Sequence, residues 1–159
     1  MLSGLTAVKN GILLVFFIGA AWADVREMRI PNRLLGLAWL LRIPVFLAEW
    51  AIAGREGAVL AGREALESIV WMAALTALAA VTAHGIGFGD VKLLGTAVLY
   101  QGIEKSLAGF LVGIILAGGA AAVLLMLGRI GHRDKLPLAP FFLLGCGAVL
   151  LGRSCGIAV

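Results

Sequence analysis

Charged side chains are the first scarcity. Only 14% of the 159 residues carry one, whereas 62% are hydrophobic and the mean hydropathy is +1.05. Soluble domains hold about 25% charge and about 45–50% apolar residues. A chain so poor in polar surface cannot face water all round, so lipid is the solvent for most of it. Cysteine is scarcer still. Cys146 and Cys155 form no Cys-x-x-Cys pair and have no neighbouring His, which argues against a zinc site and leaves them as small packing residues. A basic stripe with interleaved aromatics is also missing. The net charge is +4, yet the thirteen Lys and Arg stand singly between apolar runs. They read as orientation signals and headgroup contacts, not as a nucleic-acid surface. The length suits about six spans of ~20 residues with short connections. The expectation is an all-α polytopic bundle of about six transmembrane helices, forming one domain over residues 1–159.

The first apolar segment runs from about Leu2 to Ala23, broken only by Lys9 and Asn10. Ala21-Trp22-Ala23 fits a small-x-small cleavage pattern, but the residues before the apolar core form no compact basic region, so the segment is kept as a helix. Arg26, Arg29 and Arg33 mark a cytoplasmic loop. Ile30-Pro31-Asn32 opens a second helix reaching about Ala53, with Pro31 at a first-turn position. Residues 54–68 are polar and read as a solvated, partly helical loop. A third span covers about Ile69 to Ala83 and leads into His84-Gly85-Ile86-Gly87-Phe88-Gly89. Asp90 starts a short fourth helix to about Tyr100, and a fifth runs from about Ser106 to Leu127. Residues 128–136 are basic, and Pro137 opens the last apolar run. On the fifth span Gly113, Ala117, Gly118 and Ala121 offer close-packing positions.

Two spans separate Asp24 from Asp90, so both return to one membrane face. The connections on that face hold Arg26, Arg29, Arg33, Lys92, Arg129, Arg133 and Lys135. The opposite ends hold Arg55, Arg63, Lys105 and Arg153, diluted by five Glu. The asymmetry favours an outside N-terminus and aspartates on the cytoplasmic side of a multi-pass membrane protein.

Aspartate is rare as well, with three in the chain. Two of them stand where a span meets water, and an ionisable group there is a functional candidate by default. Asp90 closes Gly87-Phe88-Gly89-Asp90, a pattern expected by composition only about 0.06 times in such a chain. Two glycines beside a carboxylate clear space for a substrate backbone and permit unusual dihedrals. Asp24 ends a helix, where the dipole opposes its charge, and Asp90 begins one, where the dipole favours it. That contrast makes Asp90 the readier to ionise. If the carboxylates meet, repulsion spreads their apparent pKa values, as in aspartic-protease dyads. One then acts as base on water while the other, protonated, polarises a carbonyl.

Asp24 followed by Ile30-Pro31-Asn32, the run Gly87-Phe88-Gly89-Asp90-Val91-Lys92-Leu93 and the stretch Lys135-Leu136-Pro137-Leu138-Ala139-Pro140-Phe141 together resemble the type IV prepilin peptidases. These are Gly-x-Gly-Asp membrane aspartyl proteases, distantly similar to presenilin and preflagellin peptidases. The resemblance implies a six-span protease that cuts short basic leaders from prepilin or pseudopilin precursors, with Asp24 and Asp90 as the catalytic pair and no cofactor or metal. It makes Gly87 and Gly89 the shapers of the catalytic turn. Lys92 either pairs with the dyad or faces headgroups. Pro137 and Pro140 either interrupt a helix beside the site or simply start one. Larger family members carry a cysteine-rich insertion linked to N-methylation. None exists here, so the chain resembles the peptidase-only form.

His84 reads as a headgroup contact more readily than as a third catalytic group. Arg42, mid-span, needs a carboxylate or water. The rival from another class is an ion- or proton-coupled transporter with Asp24 and Asp90 as its ion site, although transporters place such groups near the midplane, often in repeats. A metal-dependent lipid-headgroup enzyme would need further oxygen ligands, and the sequence offers none beyond the pair. Oligomeric state is not legible.

Overall fold

A computed structural model of the chain describes residues 2–81, 87–129, 131 and 136–154. Among them it is all-helical: α1 (Leu2–Glu27), α2 (Asn32–Val81), α3 (Phe88–Gln101), α4 (Ile103–Met126) and α5 (Ala139–Ser154). Three helices, α1, α2 and α4, are long and apolar enough to cross a membrane. The 14 residues of α3 and 16 of α5 span only about 21 and 24 Å at 1.5 Å per residue, short of a ~30 Å hydrocarbon core.

Helix α2 is 50 residues long but not straight. Gly54 sits at φ 59°, ψ −137°, a left-handed conformation that glycine adopts without the clash a Cβ would cause. The chain doubles back there. A Cβ on Gly57 would collide with the carbonyl of Glu49 and lie 2.9 Å from the Ala53 methyl, an approach impossible in one continuous rod. The two arms cover residues 32–53 and 55–81.

This corrects the reading of residues 54–68 as a solvated loop. They are helical apart from Gly54, and one of their charges, Glu64, finds cationic partners across the bundle. Arg42 donates to Glu49 and Glu64, each at 2.7 Å, and Lys9 donates to the same two carboxylates at 3.0 and 2.6 Å. Two cations and two anions from α1 and both arms of α2 neutralise one another. Arg42 also reaches the Leu99 carbonyl at 3.0 Å. It is therefore tied to a structural network, away from Asp24 and Asp90.

The first arm of α2 and α3 run side by side in parallel, held by Lys92 on Asn32, Trp39 on Thr96 and Arg42 on Leu99. The returning arm is fixed to α3 by Ser68, whose hydroxyl donates to the Gly95 carbonyl at 2.7 Å. Helices α4 and α5 are antiparallel and approach through glycine: side chains added at Gly109, Gly113 or Gly145 would each strike the facing backbone. Of the close-packing positions expected on α4, Gly113 serves as one, whereas Gly118 faces open space. A core of Leu13, Phe17, Leu93, Val98, Tyr100 and Phe142 fills the centre. Val15, Leu40, Leu60 and Ile115 point outward, as lipid-facing residues do.

The result that matters for function is where the helix ends gather. The C-terminus of α1 and the N-termini of α2, α3 and α5 meet at one end of the bundle. The tip at Gly54 and the Gly102 turn lie at the other.

Candidate active site

At the gathered end lies a cavity of ≈ 430 Å³ lined by Asp24, Glu27, Met28, Arg29, Ile30, Pro31, Asn32, Phe88, Gly89, Asp90 and Lys92. Both aspartates singled out from sequence are therefore in it, brought from α1 and α3. Both are half-buried.

Asp24 opens the last turn of α1. Its carboxylate Oδ2 accepts the backbone N–H of Ala139 at 3.0 Å. That N–H belongs to the first turn of α5, where helical N–H groups lack intrahelical partners and the dipole favours negative charge. The unfavourable C-terminal end of α1 is thus offset by the N-terminus of α5, which sequence reasoning missed.

Asp90 stands in the first turn of α3, outside the three long apolar helices. Its carboxyl is pushed up to about 6, first by burial and then by the nearby Asp24 charge. The expectation that the helix N-terminus favours ionisation of Asp90 meets an opposing influence in its burial. The favourable helix N-terminus was legible, but desolvation outweighs it.

Gly87 caps α3 at φ −70°, ψ 132°, a conformation open to any residue. Its value is space, since a Cβ there would lie 3.1 Å from Asp90 Oδ2. At Gly89 a Cβ would meet Ile30 Cδ1 at 3.4 Å, an ordinary contact. Neither glycine holds an unusual dihedral. Lys92 faces neither carboxylate directly, because its Nζ donates to Asn32 Oδ1 at 2.6 Å.

Pro140 is the second residue of α5 and Pro137 precedes that helix, so the two prolines belong to a helix start and interrupt nothing. A proline early in a helix forfeits no hydrogen bond. The Ala139 donor between them reaches Asp24. His84, Gly85, Ile86 and Lys135 lie outside the described residues. Among the described residues no three His, Cys, Asp or Glu converge as metal donors.

The type IV leader peptidase family model matches residues 11–123, a stretch that carries most of α1, all of α2 and α3, most of α4 and both aspartates. The chain belongs to the type IV leader peptidase family. It is also 32% identical over 131 residues to the prepilin leader peptidase/N-methyltransferase of Bacillus subtilis (strain 168), covering 81% of this chain and 49% of that protein. The chain thus spans about half the length of the curated relative it matches. No solved structure matches it. The family match covers the helices that bear both carboxylates, while the Ala139 contact falls beyond it.

Proposed function

We propose that this family member is an aspartic endopeptidase that removes short leader peptides from type IV pilin-like precursors at the cytoplasmic face of the cell membrane. Asp24 and Asp90 activate the attacking water. The observation that carries the reading is the shared cavity: two carboxylates separated by 66 positions in sequence line one polar recess, and one of them is pushed up to about 6. A pair in that state holds one proton below about pH 6, titrating as a unit. Asp24, bonded to the start of α5, is the base on water. Asp90, whose burial favours the protonated form, polarises the scissile carbonyl. Gly87 leaves room for the Asp90 carboxyl, and Gly89 packs against Ile30.

The chain acts as a single transmembrane peptidase domain, in which α1, both arms of α2, α3, α4 and α5 make six crossings. Between α1 and α2 stand only residues 28–31. The transporter alternative fits less well, because the carboxylates sit at one end of the bundle and their surroundings do not repeat.

The test is cleavage of a co-expressed pilin-type precursor in membranes by wild type, Asp24→Asn and Asp90→Asn. Either substitution keeps shape and removes the titratable group, so each is expected to lower cleavage at least 1000-fold, in the range of losing an essential catalytic group. Cleavage by both variants at the wild-type rate defeats the two-aspartate mechanism.

A further inference from the structure

Lys92 and the Ile30-Pro31-Asn32 turn have as yet no part in the chemistry. Lys92 lies two residues beyond Asp90 and lines the same cavity, but its Nζ is directed to Asn32 Oδ1 at 2.6 Å. Ile30 is 8% exposed and covers the bare face of Gly89, where a Cβ would lie 3.4 Å from Ile30 Cδ1. Between them the Pro31 carbonyl accepts the N–H groups of Leu34 and Leu35 and so begins α2. Three consecutive residues therefore supply an apolar contact, a helix start and a polar contact. The two contacts fall on Gly89 and Lys92, on either side of Asp90.

The other side of this arrangement reaches Asp24. Its backbone carbonyl accepts the N–H of Met28 at 2.9 Å, and residues 28–31 lead directly from there into α2. Met28 itself sits at φ 50°, a conformation that costs a non-glycine residue on the order of 1 kcal/mol and persists where the surroundings fix it. Asp24 is thus joined to Asn32 by a short, tightly turned connection. By contrast, 60 positions separate Asn32 from Lys92, running through both arms of α2. The core packing of α1 against α3 brings the two carboxylates together, and a cross-link at this end adds a directional constraint to it.

We propose that Ile30-Pro31-Asn32 is a socket for the first turn of α3, and that the Asn32–Lys92 hydrogen bond is the latch that positions Asp90 against Asp24. This rests on the reading of the aspartates as the catalytic pair. Asn32 and Lys92 are positioning residues, acting on turnover through the carboxylates and not through the substrate. A misplacement of about 1 Å at a reacting group costs up to about 100-fold in rate.

The experiment is a double-mutant cycle on the detergent-solubilised full chain with a purified pilin-type precursor. Asn32→Leu and Lys92→Met are each expected to lower kcat about tenfold, with KM changed less than about twofold. The double variant is expected to be no slower than the worse single one, because the second change removes a bond already lost. Lys92→Arg, which keeps a donor, is expected to stay within about threefold of wild type. Should Asn32→Leu fail to accumulate in membranes, Asn32→Ser withdraws the acceptor with less disturbance. Losses that multiply in the double variant, or that appear in KM alone, overturn the latch in favour of independent or substrate-contact roles. Asp24→Asn and Asp90→Asn, run alongside, separate the two levels. If they are inactive while the latch variants match wild type, only the latch is wrong. If they cleave normally, the catalytic pair itself is wrong.

Discussion

Asp90 is a carboxyl whose surroundings work against its charge, and the pH dependence follows from that. In the unfolded chain it ionises near 3.8, in the folded chain near about 6. The stability this group contributes is therefore complete below 3.8 and is lost as pH rises through about 6. Thermal midpoints in detergent should fall across that window, and Asp90→Asn should flatten the fall. Cleavage should follow the same proton, with kcat/KM declining as pH rises through about 6. Gly87→Ala should lower kcat about tenfold by pressing a methyl against the Asp90 carboxyl, whereas Gly89→Ala should change it less than about threefold. Kinetics of the two variants side by side would check this. Both aspartates were legible in the sequence because rare carboxylates at span ends, one of them beside two glycines, have a compositional signature. The donor on Asp24 had none. A backbone N–H belongs to every residue type but proline, so nothing in Ala139 itself marks it. The balance at Asp90 was only half legible for a related reason: helix position is local and readable, whereas burial depends on the rest of the fold.

At the scale of elements, the α2 hairpin shows what a linear reading of charge overlooks. Arg55, Glu56, Arg63, Glu64 and Glu67 give residues 54–68 the composition of a loop. The structural meaning of Glu64 depends on Lys9 and Arg42, up to 55 positions away. Arg42 was recognised as needing a partner, but the sequence could not say which carboxylate would meet it. Buried ion pairs are costly to break by half, because the remaining charge stays desolvated. Arg42→Met should therefore destabilise the protein by about 3–5 kcal/mol. Adding Glu64→Gln should cost less than its own effect in the wild type, since the two share a bond. Unfolding in detergent measures both. Cleavage by the surviving folded fraction should stay close to normal, because the network lies on the far side of the bundle from Asp24. The break at Gly54 was not legible, since 22 glycines offer too many places for a turn and only tertiary contact selects one.

For the whole molecule, the order of helices and the meeting of Asp24 and Asp90 at one end were both readable by counting apolar runs between them. Their lengths were read less well: α3 and α5 are shorter than a free-standing crossing requires, and they are accommodated by packing against longer neighbours. The arrangement predicts which positions share a membrane face. In a background lacking both cysteines, Arg29→Cys and Arg129→Cys should react with an impermeant thiol reagent from one side of sealed vesicles. Arg55→Cys and Glu104→Cys should react from the other. Labelling of all four from one side would contradict the fold. The contact between Asp24 and Ala139 spans 115 positions, and this bears on biosynthesis. A nascent chain inserted only as far as α4 already holds Asp24, Asn32, Asp90 and Lys92, yet Asp24 still lacks its Ala139 donor. On the proposed reading of the aspartates, a chain truncated before the fifth helix should therefore cleave no precursor, which a co-expression assay of the truncated form would check.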